Sequence, residues 1–149
     1  MNNDTNRNII DCDVDPFVDS GFVIESHQKQ GRCVVTSVGN DLLINNKRIV
    51  LYLSKRQEGI GTIAWDYLLE ELNGKVVLGA NVGLHLYEHS SLIPQAWRGR
   101  SILFPGTIFR DPRGLRYIGH LNSYHDWYWG YSRLDRSFGP WNPVALLEA

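Results

Sequence analysis

Strand-like segments lie at both ends of this 149-residue chain, and the helical patterns lie together in its middle. A fold of the α/β class needs strands that alternate with crossover helices, and this chain lacks that alternation. We therefore predict an α+β fold with short N-terminal strands, two helices and a C-terminal three-stranded antiparallel meander. The same pattern also allows two small sheets that form a partly open barrel with the helices closing one end, because sequence does not show register.

The predicted strands come from β-branched, alternating runs bounded by turn residues. They are residues 22–25, 32–38 and 47–53 in the N-terminal half and residues 101–109, 115–121 and 127–134 in the C-terminal half. Pro105-Gly106 lies inside one of these runs, which predicts either an edge strand or a bulge there.

The two helices are predicted from apolar spacing and from the residues at their ends. Thr62 is a candidate N-cap for the first helix, and Asn73-Gly74 is a typical stop. The second helix is expected at about residues 81–89, where Gly83 lowers helix stability by up to ~1 kcal/mol relative to alanine.

Length and composition predict one folded domain, since 43% of the residues are apolar and 21% are charged. The polar, acidic residues 1–20 are predicted to form an extended acidic arm, and residues 21–149 a single α+β domain. The start of the chain has no apolar core typical of a signal peptide, and no apolar run approaches the ~20 residues of a membrane span. With only two cysteines, a cytoplasmic location with reduced thiols and no membrane partner is expected.

Three patterns resemble cofactor or metal sites, and each lacks required parts. Residues 59–64 match the dinucleotide fingerprint G-x-G-x-x-G/A, but five residues separate them from the preceding strand, and no acidic residue ends the next apolar run. Asp11, Asp13 and Asp15 resemble the start of a calcium loop, which then lacks its glycine and its glutamate. His85 and His89 have the spacing of two zinc ligands without an evident third. The sequence therefore predicts neither a cofactor nor a metal.

The C-terminal half contains the most suggestive binding pattern. In a strand, Trp127, Trp129 and Tyr131 share one face and Tyr128 lies on the other. The candidate binding residues are these three aromatics with five nearby arginines: Arg98, Arg100, Arg110, Arg113 and Arg116. Aromatic rings beside guanidinium groups are typical of surfaces that stack nucleic-acid bases or contact proteins. Large aromatics also commonly form the core side of a sheet, with the arginines solvated.

Several segments resemble those of short bacterial hypothetical proteins, in the same order along the chain. They are CDVDPFV (12–18), LYLS (51–54), GANV (79–82), LIPQAWRGR (92–100), GTIFRD (106–111) and NPVALL (142–147). The resemblance implies a bacterial intracellular origin and a compact domain, and it implies no particular activity. In that group neither position 85 nor position 89 is a histidine, and position 105 is a tryptophan, so no shared metal site is implied.

Three functions follow as hypotheses. The first is a non-catalytic interaction domain whose aromatic, arginine-rich C-terminal sheet contacts a partner protein or a second copy of the chain. The second is a single-stranded nucleic-acid-binding domain that uses the same surface, although the net charge is only −1. The third is an enzyme with a site around His120, His125 and Asp126. No complete catalytic set is visible, so no catalytic residue is predicted.

Overall fold

The computed structural model describes residues 8–149, which form twelve strands and two helices besides short 3-10 turns. The N-terminal strands are β1 (Ile9–Asp11), β2 (Val23–His27), β3 (Arg32–Val38), β4 (Asp41–Ile44) and β5 (Lys47–Tyr52). The middle of the chain contains β6 (Ile63–Ala64), α1 (Trp65–Glu71), β7 (Val76–Val77) and α2 (Ala80–Glu88). The remaining strands are β8 (Ser101–Arg110), β9 (Arg116–Asn122), β10 (Tyr128–Arg133), β11 (Ser137–Phe138) and β12 (Val144–Leu147). The predicted α+β class is confirmed.

One sheet of ten strands contains most of these elements, in the order β1-β3-β4-β5-β12-β8-β9-β10, with β2 paired to β8 and β7 paired to β12. The last strand of the chain, β12, lies antiparallel to β5 and parallel to β8. It therefore joins the N-terminal strands to β8, β9 and β10, which are antiparallel neighbours. The C-terminal strands are thus part of a larger sheet.

The register of β8 against β9 shifts between Phe104 and Ile108, where the chain contains Pro105-Gly106. Of the two predicted alternatives, an edge strand or a bulge, this interruption of the register fits the bulge.

The sheet has an apolar core on each face. Leu103 packs with Leu68 of α1, whereas Phe104 packs with Val82 and Leu86 of α2. Adjacent residues of a strand point to opposite faces, so α1 and α2 cover opposite sides of the sheet. Helix α2 contacts β1 and β10, the two ends of the strand order, as well as β8 and β9.

Tertiary pairing corrects the predicted start of the first helix. Thr62 is not the N-cap, because Ile63 and Ala64 pair with Phe138 and Ser137, and the helix begins at Trp65 with Ala64 as its N-cap. The β6–β11 ribbon holds the backbone extended where local spacing suggested helix. The second helix differs from the prediction by one residue at each end.

Part of the predicted acidic arm belongs to the sheet. Ile9–Asp11 pair with β3, and Ile10, Cys12 and Pro16 are buried. Residues 1–7 of the predicted arm lie outside the described residues. Among residues 8–149 no helix combines the length and the apolar character that crossing a membrane requires.

Candidate binding surface

All three predicted stacking residues pack inward. Trp129 packs against Phe104 with ring centroids 5.8 Å apart, and Tyr131 packs against Phe22 at 4.8 Å and Phe109 at 5.2 Å. Trp127 and Trp129 both lie against the core beneath α2. This face of β10 is therefore an internal aromatic cluster, as in the core interpretation that the sequence also allowed.

The predicted arginines lie in two separate groups. Arg110 and Arg116 face each other across β8 and β9, and both form ion pairs with Glu25, at 3.7 and 3.2 Å. Arg113 pairs with Asp111 at 3.2 Å in the turn between these strands. Six residues of β9 separate this turn from the opposite end of the strand, a distance of about 20 Å. These three arginines therefore cannot share one small site with Arg98 and Arg100.

Exposed aromatic residues occur at that opposite end. Tyr128, Asn122 and Ser101 are direct cross-strand neighbours on β10, β9 and β8, and the Ser101 amide donates to the Trp141 carbonyl at 2.7 Å. The register thus places Tyr128 and Trp141 along the same end of the sheet. The Tyr124, Tyr128 and Trp141 side chains are 81%, 46% and 64% exposed.

We call this surface the aromatic rim, defined as Arg98, Arg100, Tyr124, His125, Tyr128 and Trp141. A shallow cavity of about 210 Å³ lies within it and is lined by Arg100, Asn122, Tyr124 and Trp141 among others. Exposed aromatic side chains that lie along one end of a sheet provide apolar area for contact with another molecule.

Hydrogen bonds hold the two loops of the rim in place. The Gly99 amide donates to the hydroxyl of buried Ser123 at 2.7 Å, and the Tyr124 amide donates to Asn122 Oδ1 at 2.9 Å. The Tyr124 ring packs edge-on against His125 with centroids 4.5 Å apart. These bonds set the positions of the Gly99 and Tyr124 backbone at the rim.

The rim contains two cations, Arg98 and Arg100. In the part of the chain that the structure describes, neither Arg98 nor Arg100 forms a salt bridge. Arg98 donates to the His125 carbonyl at 3.5 Å and lies 5.6 Å from the Trp127 ring, a cation–π distance. Asp126 is the exposed acidic residue of the adjacent loop.

The residues of the catalytic hypothesis have different surroundings. His120 Nδ1 bonds to Ser132 Oγ at 2.7 Å, and burial lowers the pKa of His120, which favours its neutral form at pH 7. His125 is exposed and packs on Tyr124 instead. Among the hydrogen bonds of residues 8–149, none joins His120 to His125 or Asp126.

The two candidate zinc-ligand histidines stack on each other, with ring centroids 4.2 Å apart. His89 Nδ1 is hydrogen-bonded to the His85 carbonyl at 2.9 Å, and His85 Nε2 to Asn8 Oδ1 at 3.3 Å. Across residues 8–149, no three histidine, cysteine, aspartate or glutamate side chains converge to hold a metal ion.

The chain matches no protein-family model, no curated protein and no solved structure. The aromatic rim is therefore described from the positions and contacts of its own residues. The candidate binding residues predicted from the sequence include Arg98 and Arg100 of this rim but not its exposed aromatic residues, Tyr124, Tyr128 and Trp141. Strand alternation places Tyr128 on the face opposite Trp129, and this pattern could have identified Tyr128 as exposed. Trp141 has no such local pattern, because its position follows from the hydrogen bond between its carbonyl and the Ser101 amide.

Proposed function

We propose that this chain is a non-catalytic binding domain and that the aromatic rim is its contact surface for a partner protein. The observation that carries the proposal is the exposure of Tyr124, Tyr128 and Trp141 beside Arg98 and Arg100, which form no ion pair with any residue in the range 8–149. Tyrosine, tryptophan and arginine are the residues that contribute most of the binding energy in protein interfaces. The proposal includes the cytoplasmic location expected from the sequence.

Charge complementarity indicates the chemistry of the partner. Arg98 and Arg100 would each offer several N–H donors to a carboxylate, and a guanidinium can bind both carboxylate oxygens at once. The neighbouring aromatic rings would pack on apolar or aromatic side chains. We infer that the partner presents a short acidic segment that also contains an apolar residue.

Single-stranded nucleic acid is the second candidate ligand of the rim. The three exposed rings favour it, because bases stack on aromatic side chains. The charge favours a protein, since Arg110 and Arg116 share the Glu25 carboxylate, Arg113 pairs with Asp111, and all three lie at the far end of β9. The two remaining arginines provide little attraction for a phosphate backbone. A catalytic role for His120, His125 and Asp126 stays a prediction without a supporting contact.

The test compares defined ligands on wild-type and variant protein. Fluorescence anisotropy is measured with labelled acidic peptides that contain tryptophan or leucine, with basic peptides of equal length, and with single-stranded DNA and RNA, at low and physiological salt. We expect the acidic peptides to bind, and Trp141→Ala or Arg100→Glu to weaken that binding at least tenfold.

Arg113→Glu is the matched control, because it reverses an exposed arginine at the other end of the same strands. It should leave peptide binding within twofold of wild type. Salt-sensitive binding of oligonucleotides alone would favour the nucleic-acid candidate. Binding that Trp141→Ala, Tyr128→Ala and Arg100→Glu all leave unchanged would overturn the rim as the contact surface.

A further inference from the structure

The cavity within the aromatic rim is small, and its lining contains one charge. It measures about 210 Å³, whereas pockets that enclose a whole ligand usually measure about 300–1,000 Å³. Among residues 8–149, Arg100 is the only charged residue that lines it, beside glycine, serine, asparagine, tyrosine and tryptophan. The cavity therefore has room for one functional group, which would meet a positive charge and no carboxylate.

The Arg100 guanidinium is available to such a group. Its side chain is exposed, and it forms no ion pair with any other residue in the range 8–149. A guanidinium can donate two parallel N–H bonds to the two oxygens of a carboxylate, and charge-assisted bonds of this kind are roughly twice as strong as neutral ones. One carboxylate would therefore match both the charge and the donor geometry of Arg100.

Asn122 provides a second donor to the same cavity. Its Oδ1 accepts from the Tyr124 amide at 2.9 Å, and this bond determines which end of the side-chain amide is the donor. Within residues 8–149 no hydrogen bond uses Asn122 Nδ2, and this atom is open to solvent. Because Asn122 lines the cavity, its N–H groups are donors that a ligand there can reach.

The strand pairing restricts where this donor can lie. Asn122 is opposite Ser101 on β8 and Tyr128 on β10, so its strand is paired on both sides. The neighbouring Ser123 hydroxyl accepts from the Gly99 amide, which joins the β9 end to the residue before Arg100. Donors that are positioned before a ligand arrives reduce the entropy that binding costs.

We propose that this cavity binds one carboxylate of the partner protein, held by Arg100 and by Asn122 Nδ2. The carboxylate belongs either to the C-terminal residue of the partner or to an aspartate or glutamate side chain. The inference rests on the proposed function, because it names the group that the partner inserts into the rim. Apolar atoms next to that carboxylate pack on Tyr124 and Trp141, which line the same cavity.

The experiment follows the side-chain amide signals of ¹⁵N-labelled protein by NMR, with the Asn122 signal assigned from Asn122→Asp. The probes are two pairs of acetylated tripeptides, and the members of each pair differ in one carboxylate. The first pair is leucine-leucine-glycine with a free carboxyl terminus or with a terminal amide. The second pair is leucine-leucine-glutamate or leucine-leucine-glutamine, each with a terminal amide. We expect saturable shifts of the Asn122 signal with both acids, at affinities about tenfold higher than those of their neutral partners.

Asn122→Asp isolates the proposed donor. The aspartate keeps an oxygen that can accept from the Tyr124 amide, but it replaces Nδ2 with a second oxygen that repels a carboxylate. This variant should weaken binding of both acids about tenfold, read from the Gly99 backbone amide, and Arg100→Gln at an exposed position should do the same. Neither substitution should change the affinity of the neutral peptides by more than about twofold.

Asn73→Asp is the matched control, because it adds the same negative charge at an exposed position in the loop after α1. It should leave binding of both acids within about twofold of wild type. Tighter binding of the peptide with a free carboxyl terminus assigns the carboxylate to the end of the partner chain, and tighter binding of the glutamate peptide assigns it to a side chain.

Equal binding of the acids and their neutral partners overturns the carboxylate site. Acid binding that both Asn122→Asp and Arg100→Gln leave unchanged also overturns it. Tyr128→Ala separates this result from failure of the rim, since Tyr128 belongs to the rim but does not line the cavity. If Tyr128→Ala still weakens peptide binding, the rim is the contact surface and only the carboxylate site is wrong.

Discussion

The Cys12 Sγ atom lies 3.1 Å from the Cys33 Sγ atom, and both side chains are buried as free thiols. The β1–β3 pairing produces this approach, because Ile10 lies opposite Cys33 and the Cys12 amide continues the ladder by donating to the Gly31 carbonyl. The pKa of the Cys12 thiol is raised, since it donates to the Cys33 sulfur and is removed from water. The first segment of the described chain is thus held to the core through a dithiol contact.

We expect a low-molecular-weight disulfide, such as oxidised glutathione, to convert this pair into an intramolecular Cys12–Cys33 disulfide. Two thiol–disulfide exchanges would release two equivalents of the small thiol, with both protein sulfurs oxidised. Because the bridge closes a loop of about 20 residues, it should raise the free energy of unfolding by about 3 kcal/mol. Urea unfolding of the oxidised and reduced forms measures this difference.

Cys33→Ser is the control for the disulfide prediction. It should abolish the increase in stability and yield only mixed disulfides in the mass spectrum. If the oxidised wild-type protein were no more stable than the reduced protein, the geometry of the pair would be unsuited to a bridge.

The hydrogen bonds of Glu71 should make stability depend on pH. Tyr52 donates to Glu71 Oε1 at 2.5 Å and Ser54 donates to Oε2 at 2.9 Å. The bond from Tyr52 lowers the pKa of Glu71, and the same bond raises the pKa of Tyr52 to about 12. The two hydrogen bonds therefore contribute fully to the free energy of unfolding between about pH 4.3 and about pH 10, which are the pKa values of Glu71 and Tyr52 in the unfolded chain.

As pH falls through the lowered pKa of Glu71, or rises from about pH 10 towards the raised pKa of Tyr52, the contribution should be lost. Since Glu71 is partly exposed, we expect the free energy of unfolding to change by at most about 1 kcal/mol on either side. Urea unfolding from pH 3 to pH 11 measures it. Glu71→Gln should flatten the acid side of the profile, and an unchanged acid slope in this variant would contradict the assignment to Glu71.

Gly83 of α2 should not tolerate a side chain. A Cβ atom there would overlap the Trp129 ring and lie 3.0 Å from Phe104. Alanine favours an isolated helix by up to ~1 kcal/mol, but we expect Gly83→Ala to destabilise the protein by about 1–3 kcal/mol, because overpacking outweighs propensity.

A double-mutant cycle with Trp129→Leu tests this mechanism by urea unfolding. The smaller side chain should accommodate the added methyl group, so Gly83→Ala should cost less in the Trp129→Leu background than in wild type. Equal costs in the two backgrounds would show that the substitution acts on the helix alone.

Gln57 is fully buried and uses both ends of its amide. Its Nε2 donates to the carbonyls of Gly139 and Asn142, both at 2.9 Å, and its Oε1 accepts from the Ser54 amide at 3.0 Å. Gln57→Glu would place a carboxylate oxygen against two carbonyl oxygens, which raises the pKa of the new carboxyl. We expect the free energy of unfolding to fall by about 2–4 kcal/mol at pH 7. The decrease should be smaller at pH 4, where the protonated acid can donate a hydrogen bond again.

Urea unfolding at the two pH values measures the Gln57→Glu effect. Gln95→Glu, which changes an exposed glutamine in a 3-10 turn, is the matched control and should be close to neutral at both. A loss for Gln57→Glu that did not shrink on acidification would argue against repulsion by a buried carboxylate.

Local patterns in this sequence correctly predicted individual elements of secondary structure. Apolar spacing placed α2 within one residue, and Pro105-Gly106 marked the bulge in β8. The same kind of signal failed at Thr62, because pairing of Ile63 and Ala64 with a strand more than 70 residues away overrides helix propensity. Alternation along β10 correctly separated Tyr128 from Trp129 but could not tell which face is covered by α2.

The sequence by itself determined the α+β class, the approximate position of both helices and the side-chain alternation within strands, because these depend on neighbouring residues. Only the tertiary structure decided that β12 lies between β5 and β8, that Arg110 and Arg116 share the Glu25 carboxylate, and that Trp141 lies beside the end of β8. These are contacts between residues far apart in the chain. They are set by how the whole sheet buries its two apolar faces, which no short segment encodes.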